Sequence, residues 1–247
     1  MSLIILVGLI GLIVGTMIGT VGIGGVLLAP SLVFLLGMDL PLAMATSMWS
    51  FLFTGLMGVV VYGRKGSIDW AMSGWLVLGI IPASIVGART NVSLPTNVLA
   101  GILVAVLLYS AWNALVKQQL LGSSGTIIAP HWLVCIGIIV GFGSALTGTG
   151  GAVMLMPIFL LLSVPVLKAV GVVQGIQLPI AISASIGFVL FGQVDLMLGT
   201  ALGFVQAVGV WIGAQVAHRV HSERLRGFAA VALIVSAVLL VRQIILG

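Results

Sequence analysis

Residues 15–30 read GTMIGTVGIGGVLLAP, and the pattern returns at 141–157 as GFGSALTGTGGAVMLMP. At a shift of 126 residues Gly15 falls on Gly141, Gly22 on Gly148, and Gly24-Gly25 on Gly150-Gly151. The same shift carries Ala43 onto Ala169, Gly66 onto Gly192, Asp69 onto Asp195, Gly87-Ala88 onto Gly213-Ala214 and Gly101 onto Gly227. The second copy has one extra residue ahead of its proline. A constant shift held over more than 80 residues, with an aspartate among the matches, means that the chain is duplicated. The fold must therefore be built from two copies of one unit.

Each copy is centred on a break. Glycine weakens a helix and proline removes a backbone donor, so the matched stretches interrupt helices at equivalent places. What surrounds them is apolar: 61% of the 247 residues are hydrophobic and 5% charged, with a mean hydropathy of +1.38. A soluble domain carries about a quarter charged residues. The chain reads as an all-α polytopic membrane protein. In lipid, a break must be satisfied by protein or by a water-filled cavity, and transporters built from repeats form their solute sites at such broken helices.

The expected layout is a first membrane repeat over 1–116, a linker at 117–130 (KQQLLGSSGTIIAP) and a second repeat over 131–247. Each repeat has two short arms around its glycines, 3–19 with 26–36 and 131–146 with 152–162. Three longer apolar runs follow in each: 42–62, 71–90 and 96–116, then 167–191, 196–217 and 225–246. The first ten residues, with no basic segment, read as a retained membrane segment. The lone Cys135 excludes a disulfide within the chain and, lying in an apolar run, is expected to be a buried, inert thiol.

Charge tests how the copies are oriented. If each glycine stretch crosses the membrane once, the basic residues divide four against five between the two sides. If the arms form a hairpin, Arg64, Lys65, Lys117, Lys168, Arg219, Arg224 and Arg226 fall together, against Arg89 and Arg242. Such a seven-to-two excess is what a cytoplasmic side carries. An arm such as 26–36 spans about 17 Å, too short for a hydrocarbon core of roughly 30 Å, which suits a re-entrant hairpin. The expectation is inverted repeats, with both termini outside.

The residues that can meet a solute lie at the breaks and just after them. A helix that starts after a glycine turn offers free N–H groups and the positive end of its dipole to an oxyanion. The candidate binding residues are Thr20, Gly22, Gly24 and Gly25 in the first copy, and Thr147, Gly148, Thr149, Gly150 and Gly151 in the second. Thr16 is a further hydroxyl beside the first break. Thr46, Ser47, Gln174 and Gln177 can line the same cavity, and Arg89, whose copy is Gln215, can attract an anion near the pathway. Glycines outside the breaks read as close helix packing. Asp69 and Asp195, each at the end of an apolar run, read as loop or helix-cap carboxylates rather than proton carriers. No Gly-Lys-Ser/Thr follows the glycines, which argues against a nucleotide. His218 and His221 have no Cys or carboxylate cluster, so no metal is expected.

The order of these motifs resembles the sulfite exporter TauE/SafE family of permeases, also called toluene-sulfonate-uptake-type permeases. The resemblance rests on the Gly-x-Gly-Gly stretch with its proline, on 43–47 (AMATS) and on 66–69 (GSID). Their second copies are GTGGAVMLMP, Ala169-Val170-Gly171 and GQVD at 192–195. In the second copy Val172-Val173 stand where the first has Thr46-Ser47. The resemblance covers nearly the whole chain and implies transport of small sulfur-containing anions, such as sulfite or organosulfonates, across the cytoplasmic (inner) membrane. It implies no cofactor and no catalytic residue. The partners expected are a small anionic solute and the lipid bilayer, with self-association left open. Nucleic acid is not expected, because the cations sit singly in loops. A channel or uniporter for another small oxyanion or carboxylate would share the duplication and the breaks. An intramembrane enzyme would need acid, base or metal groups within the bilayer, which the chain lacks.

Overall fold

A computed structural model describes residues 2–22, 24–115, 128–162, 164 and 166–216, with 234, 237–238 and 241–242 beyond them. The helices are α1 (Ser2–Val21), α2 (Leu28–Leu36), α3 (Leu40–Arg64), α4 (Trp70–Ser93), α5 (Thr96–Leu115), α6 (Pro130–Thr147), α7 (Ala152–Leu161), α8 (Val166–Phe191) and α9 (Leu196–Val216). A short 3₁₀ turn, Gly24–Leu27, leads into α2. Among the described residues five helices, α3, α4, α6, α8 and α9, are long and apolar enough to cross a membrane. The run expected at 225–246 lies almost wholly outside the described residues.

Local chemistry explains where the helices begin and end. Asp69 and Asp195 each accept a hydrogen bond from the backbone N–H three residues on, Met72 and Leu198, at 2.9 Å. Both are therefore helix N-caps, α4 and α9 starting on them. Pro41 sits in the first turn of α3, where no N–H is needed. The break prolines do not occupy the breaks themselves. Pro30 is the third residue of α2, and Pro157 lies inside α7, so the glycines interrupt the chain and the prolines fall in the return arms. At nine and ten residues, α2 and α7 span about 15 Å at most, half a bilayer.

The directions of the helices follow from what meets what. Along α1 and α9, Gly15 lies against Gln206 and Gly19 against Val210, so the two run parallel. Along α4 and α6, Leu76 meets Gly137 and Ile80 meets Gly141, again in parallel. Thr54 faces Gln177 and Gly58 faces Gln174, so α3 and α8 are antiparallel. Ser73 meets Gly175 and Val92 meets Gly192, which makes α4 parallel to α8. Thr46 meets Gly199 and the Lys65 ammonium donates to the Ala214 carbonyl at 3.2 Å, so α3 is parallel to α9. Hence α1, α3 and α9 point one way, and α4, α6 and α8 the other.

Thus α1, α3 and α4 each run opposite to the copy 126 residues on, α6, α8 and α9. The packing has the same symmetry: α1 of the first half packs on α9 of the second, and α6 on α4. Gly15 and its copy Gly141 serve matching interfaces, where an added methyl would strike backbone. These glycines, the first of each glycine stretch, are packing residues. The buried side chains of both halves join in one core that includes Phe51, Tyr62, Phe159 and Phe188. One residue departs from expectation. Cys135 is exposed, because it shares with Trp132, Ile138 and Ile139 the side of α6 turned away from α4. In a membrane helix an apolar run has an outer face as apolar as its inner one, so hydropathy does not tell which way a thiol points.

Candidate functional site

Two chain reversals, one per copy, come together in the middle of the bundle. The first follows α1: Gly22, with φ of 79°, ends the helix, its N–H bonded to the Ile18 carbonyl at 3.0 Å. The 3₁₀ turn then folds back, so that a methyl on Gly24 would meet the Val14 carbonyl oxygen at 2.5 Å. The second follows α6. Gly148 (φ 67°) caps the helix in the left-handed conformation, and Gly150 (φ 76°) and Gly151 (φ 88°) turn the chain into α7. A side chain at these φ values is strained, which is why the turn is glycine. Although Gly24 and Gly25 are the copies of Gly150 and Gly151, neither has positive φ. What glycine provides there is room for another backbone.

The two reversals touch across Phe51, at the middle of α3. Methyl groups placed on Gly25 and Gly150 would both strike its ring, at 3.2 and 3.1 Å, and Gly25 also abuts the Thr149 carbonyl oxygen. Gly22 faces Ala152 and Val173 at 3.6 Å. Every residue of 24–30 and 144–153 is buried. The two return arms, one starting at the 3₁₀ turn from Gly24 and the other at α7, thus bring their first N–H groups to the core of the bundle.

The remaining expected residues fall into three groups. Gln174 and Gln177 do reach the other half. Gln174 donates its amide to the Ile18 carbonyl at 3.0 Å, and Gln177 donates to Thr54 Oγ1 at 2.9 Å. Thr20, Ser47 and Thr147 spend their hydroxyl protons on their own helices, on the carbonyls of Thr16, Ala43 and Gly143. Thr149 shares a hydrogen bond with Thr147, Oγ1 to Oγ1 at 2.9 Å. Thr16 does likewise with the Leu12 carbonyl. The third group lies elsewhere. Thr46 accepts from the Asp195 N–H at 3.2 Å and faces α9, and Arg89 is exposed near the end of α4, 5.5 Å over the Phe191 ring.

Three contributors, Ser144, Asn91 and Gln206, were not singled out by sequence reasoning. Their Oγ, Oδ1 and Nε2 atoms, like Oε1 of the expected Gln174, are buried without a partner. Leaving such a group unpaired costs about 1–3 kcal/mol, so the bundle holds polar capacity that its own packing does not use. Ser144 lies 3.5 Å from a methyl built on Gly151, beside the second reversal. The signal was a lone polar residue within an apolar run, as Gln206 is in α9.

At the end of the bundle that holds Asp39, a cavity of about 680 Å³ opens between α3, α4 and α8. Its lining includes Leu42, Ala45, Asn91, Phe188, Phe191 and Gln193. Asn91 joins this cavity to the second reversal: its amide donates to the Leu146 carbonyl at 2.7 Å, one residue before Thr147. Among the described residues no group of His, Cys, Asp and Glu could hold a metal ion. His218 and His221 lie outside the described residues.

Comparison with known proteins agrees with this architecture. The family profile described as sulfite exporter TauE/SafE matches residues 7–240. The chain is 26% identical over 223 residues to the probable membrane transporter protein YdhB of Bacillus subtilis (strain 168), covering 87% of this chain and 89% of that one. It is 25% identical over 251 residues to the probable membrane transporter protein YjnA of the same organism, covering 94% and 98%. A third, the probable membrane transporter protein YunE, is 26% identical over 250 residues, with 90% of each chain covered. No solved structure gives a significant match.

Proposed function

The chain belongs to the sulfite exporter TauE/SafE family and is a multi-pass membrane transporter, and from that premise we propose that its solute is a small sulfur-containing anion such as sulfite or an organosulfonate. The observation that carries this reading is the meeting of two glycine reversals across Phe51. Each return helix starts beside it, and helix starts present N–H donors and a partial positive charge to an oxyanion. The nearby threonine hydroxyls already donate to helix carbonyls. Backbone N–H groups around Gly24, Gly25, Gly150 and Gly151, with the Ser144 hydroxyl, are then the donors left for the solute. Gln174 and Gln177 brace the walls.

The orientation proposed is that of inverted repeats about an axis in the membrane plane. Two observations support it: α1, α3 and α4 run opposite to their copies α6, α8 and α9, and the basic residues Arg64, Lys65 and Lys168 lie together at one end of the bundle. That end, with Lys65, Asp69 and Lys168, is then cytoplasmic. Uptake by proteoliposomes, screened with sulfite, sulfate, sulfonates and carboxylates with and without a pH gradient, tests the solute. Saturable uptake of a sulfur oxyanion in preference to carboxylates is expected. Preference for carboxylates would overturn the proposed solute, and non-saturable flux would make the protein a channel.

A further inference from the structure

The two ends of the bundle carry copies of the same residues, yet at one these residues touch and at the other they line a cavity. At the Lys65 end, the Ser67 carbonyl presses on Gly171 so closely that a methyl there has no room. Beside it Lys168 Nζ lies 2.8 Å from Asp69 Oδ2, tying the start of α8 to the start of α4. Shifted by 126, Ser67 becomes Gln193, Asp69 becomes Asp195, and the copies of Gly171 and Lys168 are Ala45 and Leu42. Three of these four counterparts, Leu42, Ala45 and Gln193, line the 680 Å³ cavity at the other end. What touches at one end is parted by open space at the other.

We propose that this cavity is the open mouth of the transport pathway and that Ser67, Gly171, Asp69 and Lys168 form its closed gate at the opposite end. The difference is written in the sequence. Gly171 lets a carbonyl approach where Ala45 would bar it, and Lys168 supplies a cation where Leu42 cannot. The resting protein is therefore biased toward opening at the Asp39 end. From the mouth, the route inward is short: Asn91 lines it and holds Leu146, and Met44 packs against Gly148 of the second reversal. Asn91 Oδ1, buried and unpartnered, is a polar contact free for whatever enters.

The inference rests on the transporter reading but not on the identity of the solute, because access can be measured without one. On a Cys135→Ser background, Gln193→Cys is labelled with a membrane-impermeant thiol reagent from the side of the Asp39 end. Rapid labelling is expected, and a cysteine there that reacts no faster than one buried in the core overturns the mouth. Gate variants are then added. Asp69→Asn keeps the helix cap and removes the ion pair; Lys168→Leu installs the residue of the other copy. Each should slow labelling about two- to fivefold, the range for a partly exposed pair, and the double variant should be no slower than either. Gly171→Ala should slow it further. Asp195→Asn, a cap substitution at the end with no cation in the copied position, should leave the rate unchanged. Should Gly171→Ala fail to insert, Leu42→Lys with Ala45→Gly, which builds the gate at the mouth, replaces it and must also slow labelling. Rates indifferent to all of these, or additive effects of Asp69→Asn and Lys168→Leu, overturn the gate. Normal labelling with no sulfite or sulfonate uptake would sink the proposed solute and leave the gate standing.

Discussion

At the level of single residues, the glycines of the reversals do two different jobs. Gly150 and Gly151 hold left-handed backbone, whereas Gly24 and Gly25 make room for α1 and for the Thr149 carbonyl. Alanine at any of the four should abolish transport while the protein still inserts, whichever constraint it violates. Gly74→Ala and Gly101→Ala, where nothing lies within 4 Å and φ is ordinary, should transport normally. Uptake normalised to inserted protein distinguishes the two sets. Arg89 poses a different question, since its guanidinium lies over Phe191 at the wall of the cavity. If that cation draws anions to the cavity, Arg89→Gln should raise the apparent KM about two- to fivefold, the scale of an exposed cation–ring contact, and Arg89→Lys should recover part of it. Equal KM values in all three proteins would leave Arg89 as a helix-end anchor. Asp69 carries a pH signature. The hydrogen bond from Lys168, then that from the Met72 N–H, hold its carboxyl below the ordinary value of 3.8. A lowered folded pKa stabilises above the unfolded value and is lost as pH falls through the folded one. Asp69→Asn should therefore melt about 1–2 °C below its parent near pH 7 in detergent, and the gap should close as the pH falls below the ordinary carboxylate value and through the lowered folded one. A gap that persists in acid would mean the ion pair is not its source. Reading these roles from sequence worked for the capping aspartates, whose position at the ends of apolar runs has one local meaning. It failed for Cys135, because a helix bathed in lipid has no polar face to reveal which side is inward.

Among the elements, the breaks were legible and their partners were not. A glycine cluster repeated at one spacing announces a reversal, and α2 and α7 are as short as the arms suggested. Which helix each reversal leans on depends on long-range packing, so Phe51 as the shared wall could not be read from α3 alone. Nor could the separation of Thr46 from Ser47: adjacent residues on a helix point about 100° apart, and Thr46 faces α9. The close parallel pairs, α1 with α9 and α4 with α6, depend on glycines that meet backbone. Gly15→Leu and Gly141→Leu should each lower stability by roughly 1–3 kcal/mol through overpacking, seen as a lower melting temperature in detergent. Gly8→Leu, with nothing within 4 Å, should not. If Gly141→Leu melts with the parent, the α4–α6 contact is not as tight as described.

Taken whole, the protein was foretold as two copies, and the structure adds that the copies are interlocked. Duplication is visible in a sequence because it is a matter of spacing; interlocking is a matter of which surfaces choose each other. The proposed orientation makes loops 63–68, 117–128 and 218–224 cytoplasmic, the last two lying almost wholly outside the described residues. Cysteines placed in them on the Cys135→Ser background should resist an impermeant reagent added from outside, and strong labelling of all three would reverse the assignment. Interlocking has a further consequence for how the molecule is made. The partner of α1 is α9, and the ribosome finishes α9 about 195 residues after α1. At roughly 5–20 residues per second, that is a wait of about 10–40 s. Throughout it, the glycine face of α1 and the reversal behind it stand unmatched in the membrane. The first half is thus born needing an attendant, either an insertion factor or simply time. Residues 1–116 and 117–247 produced as separate chains should be degraded when alone and survive when made together.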